Sequence, residues 1–272
     1  MDIPFTTLNN GVEMPLLGLG VYAPSQTSEV QQAIEWAIEA GCRLIDTAAA
    51  YNNEREVGDA IRASGISRSD IFITTKVWNE DQGYTRTLRA FNRSLERLRI
   101  DVVDLYLIHW PVKEHRHETW RALEKIYTDG RARAIGLSNH YPAHIDELLT
   151  EARITPAVNQ IEFSPYSFLP NVLDYCRQKN IQPEGYAPLV RGIKRNDPKL
   201  TALAKKYGKS TYQLLVRWSL QHSVVTIPKS VHQARIRENF DVLNFVIADE
   251  DMAQMNTFYD NTRIADDPRT IT

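Results

Sequence analysis

The chain is expected to fold as an α/β protein, a (β/α)8 barrel of the TIM type, and three observations predict this. A short apolar run followed by a longer segment of helical periodicity recurs eight times. Runs this apolar suit strands covered on both faces, as parallel strands between helices are. No tract rich in Pro, Gly or Ser and no block of like charge interrupts the rhythm, so the whole of 1–272 is expected to form one barrel domain. Finally, several of the apolar runs end in polar side chains of unusual kinds, and in such barrels the site lies at the carboxyl ends of the strands. A doubly wound open sheet of similar length is the competing architecture.

The elements follow in order. Residues 5–16 read as a hairpin, with Phe5-Thr6-Thr7-Leu8 and Val12-Glu13-Met14 flanking the turn Asn9-Asn10-Gly11; Asn-Gly between alternating residues is a strong hairpin signal. Leu16–Leu19 is the first barrel strand. A helix from about Ser28 to Ala40 follows, with Val30, Ala33, Ile34, Ala37 and Ile38 on one face. The later pairs are Arg43–Asp46 with Glu54–Ala63, Ile71–Lys76 with Thr85–Leu98, and Val102–His109 with Glu118–Thr128. Then come Ala132–Leu137 with Ala143–Glu151, and Ala157–Ile161 with Asn171–Lys179. Ile181–Tyr186 precedes a looser segment and two helices, Pro198–Tyr207 and Thr211–His222. Val224–Ile227 and Gln233–Phe240 complete the series.

Composition narrows the function. The sequence is 43% hydrophobic and 24% charged, with a net charge of −2 and a pI near 6.4, which gives no electrostatic reason to expect nucleic acid or anionic membrane as a partner. There is no apolar run of the ~18 residues a membrane span needs. The start, Met1-Asp2-Ile3-Pro4, lacks a basic region leading into an apolar one, so a cytoplasmic protein is expected. Cys42 and Cys176 lie in unrelated segments and read as buried thiols in a reducing compartment.

Chemistry is suggested by the strand ends. Leu44-Ile45-Asp46 stops at an acid and turns through small residues to Tyr51, the third strand runs into Lys76, and the fourth into His109. A tyrosine of ordinary pKa, about 10, is protonated at neutral pH and can donate, but lacks a stable conjugate base. A lysine cation beside it stabilises the tyrosinate. Asp46 would pair with Lys76, since an unpaired buried ammonium is costly. His109 could hold a substrate oxygen beside the phenol. Such a set is equipped to protonate an oxygen that is gaining negative charge.

A site of this kind needs an electron source. Ile227-Pro228-Lys229-Ser230 leaves the eighth strand, and the next helix carries Arg235, Glu238 and Asn239. Two cations, a serine and a helix amino terminus make an anion site, where barrels often hold phosphate. Ser138-Asn139 after the fifth strand and Gln160 on the sixth could grip a carboxamide, and Tyr186 on the seventh offers a ring to stack upon. Gly18-Leu19-Gly20 imitates a dinucleotide fingerprint, but Pro24-Ser25-Gln26-Thr27 separates it from the helix, so the glycines read as a tight strand exit.

The segments DTAAAYNNEREVG, TTKVWN, DLYLIHWP, GLSN, NQIEFSPY and IPKSVHQARIRENF resemble those of the aldo-keto reductases, in the right order from Pro15 to about Phe245. The resemblance is to compact, prokaryotic-type members, similar to 2,5-diketo-gluconic acid reductases. It implies a barrel closed at its bottom by the amino-terminal hairpin, with Tyr51 as general acid, Lys76 and Asp46 tuning it, and His109 orienting the carbonyl. NADPH is the implied cofactor. Ser138, Asn139 and Gln160 would hold its carboxamide and Tyr186 its nicotinamide ring. Lys229, Ser230 and Arg235 would hold the 2′-phosphate, and Glu238 and Asn239 would face the adenine, with Gly20 and Val231 in the same cofactor set. Tyr22, Trp78 and Trp110 match positions lining the substrate pocket. A monomer acting on a small carbonyl compound is the family's usual habit.

Departures from the pattern are His140 in place of an aromatic, Ala187 in place of Ser and Val190 where Gly is frequent; the last two bear on how the loop after the seventh strand folds over the pyrophosphate. The short loop after His109 and the short tail beyond Asp260 imply an open site. His115, His117, His140 and His144 have no acid or thiolate placed with them and read as surface residues, with no metal expected. The expected activity is NADPH-dependent reduction of an aldehyde or ketone, with a keto-sugar acid or a small dicarbonyl as candidate substrates. Two other classes are a cofactor-binding regulatory or sensor subunit on the same barrel and a Schiff-base lyase using Lys76. Asp46 argues against the lyase by keeping that lysine protonated.

Overall fold

Buried on both faces, the short apolar strands of this chain pair side by side in chain order. A computed structural model of the chain describes residues 3–22 and 27–271. Residues 23–26, which the sequence places between the glycines and the first helix, lie outside the described residues, as do Met1 and Asp2.

Two strands, β1 (Phe5–Thr7) and β2 (Glu13–Pro15), form the expected antiparallel hairpin, with Gly11 at φ +84° in its turn. Eight parallel strands follow. They are β3 (Leu19–Gly20), β4 (Leu44–Asp46), β5 (Phe72–Val77), β6 (Val103–Ile108), β7 (Ala132–Ser138), β8 (Val158–Glu162), β9 (Gln182–Tyr186) and β10 (Val225–Thr226), each hydrogen-bonded to the next. The ring closes between its first and last members. Leu17 bridges Thr226 in parallel, Thr226 N donates to Leu16 O (2.8 Å) and Gly18 N donates to Thr226 O (2.9 Å). The (β/α)8 barrel is thus present, and the open-sheet alternative is not.

Helices α1 (Thr27–Glu39), α2 (Glu54–Ala63), α3 (Tyr84–Leu98), α4 (Arg116–Thr128), α5 (Pro142–Leu149), α6 (Pro170–Gln178), α7 (Pro198–Tyr207), α8 (Thr211–Gln221) and α9 (Gln233–Phe240) wrap the outside. A tenth, α10 (Asp249–Asn256), has no counterpart in the periodicity reading: one turn of acids and two buried methionines, Met252 and Met255, give it only a narrow apolar stripe. Gly58 marks the tightest helix contact. A Cβ there would lie 2.1 Å from Leu98 O at the end of α3, so the two helices approach at a distance only glycine permits.

There are two cores. One lies between strands and helices. The other fills the barrel, where Leu44, Phe72, Leu105, Leu107, Val158 and Val225 meet Leu8 and Met14 of the hairpin. The hairpin is also pinned at the strand beginnings: Asn9 Nδ2 donates to Pro156 O and Asn10 Nδ2 to Arg133 O, both at 2.9 Å. It seals the bottom of the barrel, and polar side chains are left to occupy the other end.

Candidate active site

At the carboxyl end of β4 the chain turns through Ala49–Tyr51, and Asn52 adopts a left-handed conformation (φ +54°). Asn53 fixes the turn: its Nδ2 donates to Val21 O (2.8 Å) and its Oδ1 accepts from Thr47 Oγ1 (2.6 Å). The turn carries Tyr51 back over the barrel mouth. Below it Lys76, fully buried on β5, donates to Asp46 Oδ1 (2.7 Å) and to Thr47 O (2.9 Å), with its Nζ 5.2 Å from the centre of the Tyr51 ring. The expected Asp–Lys pair and its neighbouring phenol are therefore together. His109 packs its ring edge-on against Tyr51 (5.7 Å between centres) and Trp78 (5.1 Å).

Electrostatics departs from expectation in one respect. Burial pushes the Tyr51 phenol above its ordinary value, and the Lys76 cation, which pulls it down, does not overcome that push. The tyrosine is thus not acidified outright; the lysine limits a rise that burial would otherwise make larger. Burial works most strongly to discharge Lys76, but Asp46, Tyr51 and Glu184 together outweigh it, and the ammonium is held above its usual range. A lysine held in that form is a poor Schiff-base nucleophile. For His109, burial and then the Lys76 charge push the imidazole well below 6.5, so it is neutral at physiological pH. Its Nδ1 is buried without a protein partner.

The layer beneath continues across the barrel. Gln160 Nε2 donates both to Asp46 Oδ2 (2.7 Å) and to Glu184 Oε2 (2.9 Å). Glu184 is fully buried on β9, and sequence reasoning missed it. The available signal was its place two residues before Tyr186 in a short strand, which with a period of two puts both side chains on one face.

From the barrel mouth a cleft of about 1030 Å³ runs outward. One wall is a cluster of packed rings, Tyr51, His109, Trp78 and Trp110, with the exposed Tyr22 against Tyr51. Ser138, Asn139, Gln160 and Tyr186 line the middle. Asn139, at φ +63°, accepts from Tyr186 Oη (2.8 Å) and donates through Nδ2 to His109 O (3.0 Å), so its amide is already engaged. Lys229, Ser230, Val231, Arg235 and Asn239, from the end of β10 and from α9, also line the cleft. Among the described residues neither Lys229 nor Arg235 is paired with a carboxylate, and Asn239 Nδ2 is buried without a partner. Gly20 lies where a Cβ would be 2.9 Å from Ile227 O, and it keeps the cleft floor flat. Glu238, a turn beyond Arg235 on α9, does not line the cleft.

Three further features correct or extend the sequence reading. The tail is short but does reach the site: both Glu162 carboxylate oxygens accept from its backbone, from Ile264 N (2.8 Å) and Ala265 N (3.1 Å), and residues 264–266 line the cleft. In the loop after β9, Ala187 (φ +51°), Val190 (φ +49°) and Arg191 (φ +48°) are all left-handed, and Arg191 extends to within 5.8 Å of the Tyr22 ring centre. The loop therefore keeps a glycine-like path at the two positions where the sequence departs from the pattern. His140 is not a surface residue. It is fully buried, with Nδ1 2.8 Å from Ser138 O and its backbone carbonyl accepting from the buried Asn159 Nδ2 (2.8 Å); His115, His117 and His144 are half-buried.

Residues 16–260 match the family model described as the Aldo/keto reductase family. The chain is 49% identical over 261 residues to the glyoxal reductase of Bacillus subtilis, covering 96% of this chain and 95% of that protein. Among solved structures, an aldo-keto reductase from a Medee basin deep-sea metagenome library superposes with a TM-score of 0.95 at 42% identity, over 98% of this chain and 99% of that one. The Bombyx mori aldo-keto reductase in complex with NADP superposes with a TM-score of 0.90 at 36% identity, over 98% and 96%. Barrel, site geometry and similarity across nearly the whole length agree, and this chain belongs to the aldo/keto reductase family of oxidoreductases.

Proposed function

We propose that this chain is an NADPH-dependent carbonyl reductase in which Tyr51 is the general acid and small aldehydes or dicarbonyls are the substrates. The observation that carries the reading is the buried Asp46–Lys76 pair beneath Tyr51, in a cleft that is also lined by Lys229 and Arg235, two cations without carboxylate partners among the described residues. The residues fit a dinucleotide phosphate. Lys229, Arg235 and Ser230 offer charge and hydrogen bonds to a 2′-phosphate, the bare Asn239 Nδ2 suits an adenine nitrogen, and the Tyr186 ring offers a face for nicotinamide. NADPH, when bound, supplies a hydride to the carbonyl carbon.

The chain's own residues manage the oxygen. Neutral His109 hydrogen-bonds the carbonyl oxygen and holds it beside the phenol. Tyr51 gives that oxygen its proton as negative charge develops, and the resulting tyrosinate lies beside the Lys76 ammonium until solvent restores the proton. Asp46 keeps the ammonium charged and in place. Trp78, Trp110 and Tyr22 present flat aromatic walls to a small substrate. The working unit in this reading is a monomeric barrel domain over 1–272, acting in the cytoplasm. The small-dicarbonyl preference is supported by the likeness to a glyoxal reductase.

The test is NADPH consumption with a panel of aldehydes, dicarbonyls and sugar acids. Turnover with at least one carbonyl class, lost in Tyr51→Phe, is the expected result. Tight NADPH binding with no turnover across the panel would favour a regulatory subunit instead.

A further inference from the structure

Four polar side chains cross the top of the barrel interior in one hydrogen-bonded line: Lys76 to Asp46 (2.7 Å), Asp46 to Gln160 (2.7 Å), Gln160 to Glu184 (2.9 Å). None is more than 2% exposed. The first three belong to the site proposed above, whereas Glu184 touches neither the cleft nor Tyr51. A carboxyl buried in this layer, next to the barrel core of Leu44, Phe72, Val158 and Val225, is costly to take out of water.

Its neighbours define what it does. A single amide nitrogen serves two carboxyl groups, because Gln160 Nε2 donates to Asp46 and Glu184 together. The charged groups facing Glu184 are Asp46 from β4 and Lys76 from β5. On its flanks β8 offers the uncharged Gln160 and β10 the uncharged Val225. One cation thus faces two acids, and two negative charges on one amide nitrogen cannot both be well solvated. Among the described residues no donor points at Glu184 Oε1, so a proton can sit there without displacing a hydrogen bond.

We propose that Glu184 is a positioning residue for proton transfer: by exchanging its proton it sets the charge balance across Gln160 and Asp46 around Lys76, and through Lys76 the readiness of Tyr51 to ionise. Burial, followed by the Asp46 charge, lifts its carboxyl from 4.5 to about 8, so at neutral pH it is mostly protonated and Asp46 is the principal counter-charge of Lys76. When it ionises at higher pH, a second negative charge faces Lys76. The cation is then more fully neutralised and Tyr51 holds its proton more firmly. Carbonyl reduction, which needs the phenol, is thereby protected in alkali; alcohol oxidation, which needs the tyrosinate, is restrained.

The proposal rests on Tyr51 being the acid, and its test separates the two. The isosteric Glu184→Gln keeps an amide in the line and cannot ionise, and Glu184→Asp restores an acid. Tyr51 ionisation is followed without substrate or cofactor, as the tyrosinate absorbance difference between each protein and its Tyr51→Phe counterpart. Glu184→Gln is expected to move that titration to lower pH by about half a unit or more, the size of a charge effect over several ångström in a protein. It should also shift the rise of NADP-dependent alcohol oxidation with pH by the same amount, and Glu184→Asp should move both back toward wild type. If Glu184→Gln titrates Tyr51 like wild type, the proposal is overturned, including when turnover falls equally at every pH, which is the mark of a merely structural role. A wild-type protein without NADPH-dependent turnover would sink the reductase reading while the absorbance titration still decides this one.

Discussion

Tyr186 Oη donates to Asn139 Oδ1 across 2.8 Å, so the ring that lines the middle of the cleft is bolted to the end of β7. A neutral hydrogen bond contributes about 0.5–1.5 kcal/mol net. Tyr186→Phe should therefore weaken NADPH binding only roughly two- to tenfold on that scale, because the ring remains while its anchor is lost. Tyr186→Ala should weaken it further, having lost the stacking face as well. Fluorescence titration with NADPH reads both.

If Tyr51 is the acid, as proposed, Tyr51→Phe removes its proton without emptying the space. Turnover should fall by about 10²–10⁴-fold, the usual worth of a positioned acid, with NADPH affinity nearly unchanged. Single-turnover hydride transfer measured beside equilibrium binding separates the two effects.

Asp46 and Lys76 stand or fall as a pair. Asp46→Asn leaves a fully buried ammonium without its counter-charge and should cost about 3–5 kcal/mol of stability in urea unfolding. Replacing both, as in Lys76→Met with Asp46→Leu, should recover much of that loss while activity stays abolished, since an apolar pair needs no compensation.

Two buried imidazoles make the fold sensitive to acid. Burial lowers His109 well below 6.5 and His140 to about 3. Below 6.5 the unfolded chain takes up protons that the folded one refuses, so stability is complete above 6.5 and declines as pH falls from there toward the folded values. His140→Phe should flatten part of that decline in denaturant melts run across the window. The activity profile should show no break near 6.5 from His109, which is neutral on both sides of it.

Lys229 and Arg235 have no carboxylate partners among the described residues, so their charge is available to a phosphate. Removing one charged hydrogen bond costs about 1.5–3 kcal/mol. Arg235→Ala should weaken NADPH roughly ten- to a hundredfold on that basis and leave NADH almost untouched. Raising the salt concentration should erode the NADPH preference of the wild-type protein in parallel.

Much of this was legible because the relevant signals are local. Strand ends announce themselves by a polar residue after an apolar run, and Asp46, Lys76 and His109 could be read this way; Tyr51 followed from the short turn after Asp46. The Asn-Gly turn gave the hairpin, and its bottom position followed from the family likeness. Glu184 stayed hidden because its significance depends on what lies across the barrel, and no spacing along the chain reports that Gln160 bridges it to Asp46. His140 was read as a surface residue for want of an acid or thiolate beside it, and the lack of metal partners says nothing about depth: residue 140 precedes α5 and is buried. The sign of the Tyr51 shift needed the depth of burial, which only the packed barrel supplies.

Val190 stands at φ +49° in the loop after β9. A β-branched residue in the left-handed region is a true outlier, at a cost of about 1–2 kcal/mol. It is held there because its isopropyl group is almost wholly enclosed. Where a glycine could swing between shapes at will, this hinge point has only one seat, and leaving it means surrendering that enclosure. The backbone arch that brings Arg191 to within 5.8 Å of the Tyr22 ring centre is therefore fixed in one form at this point.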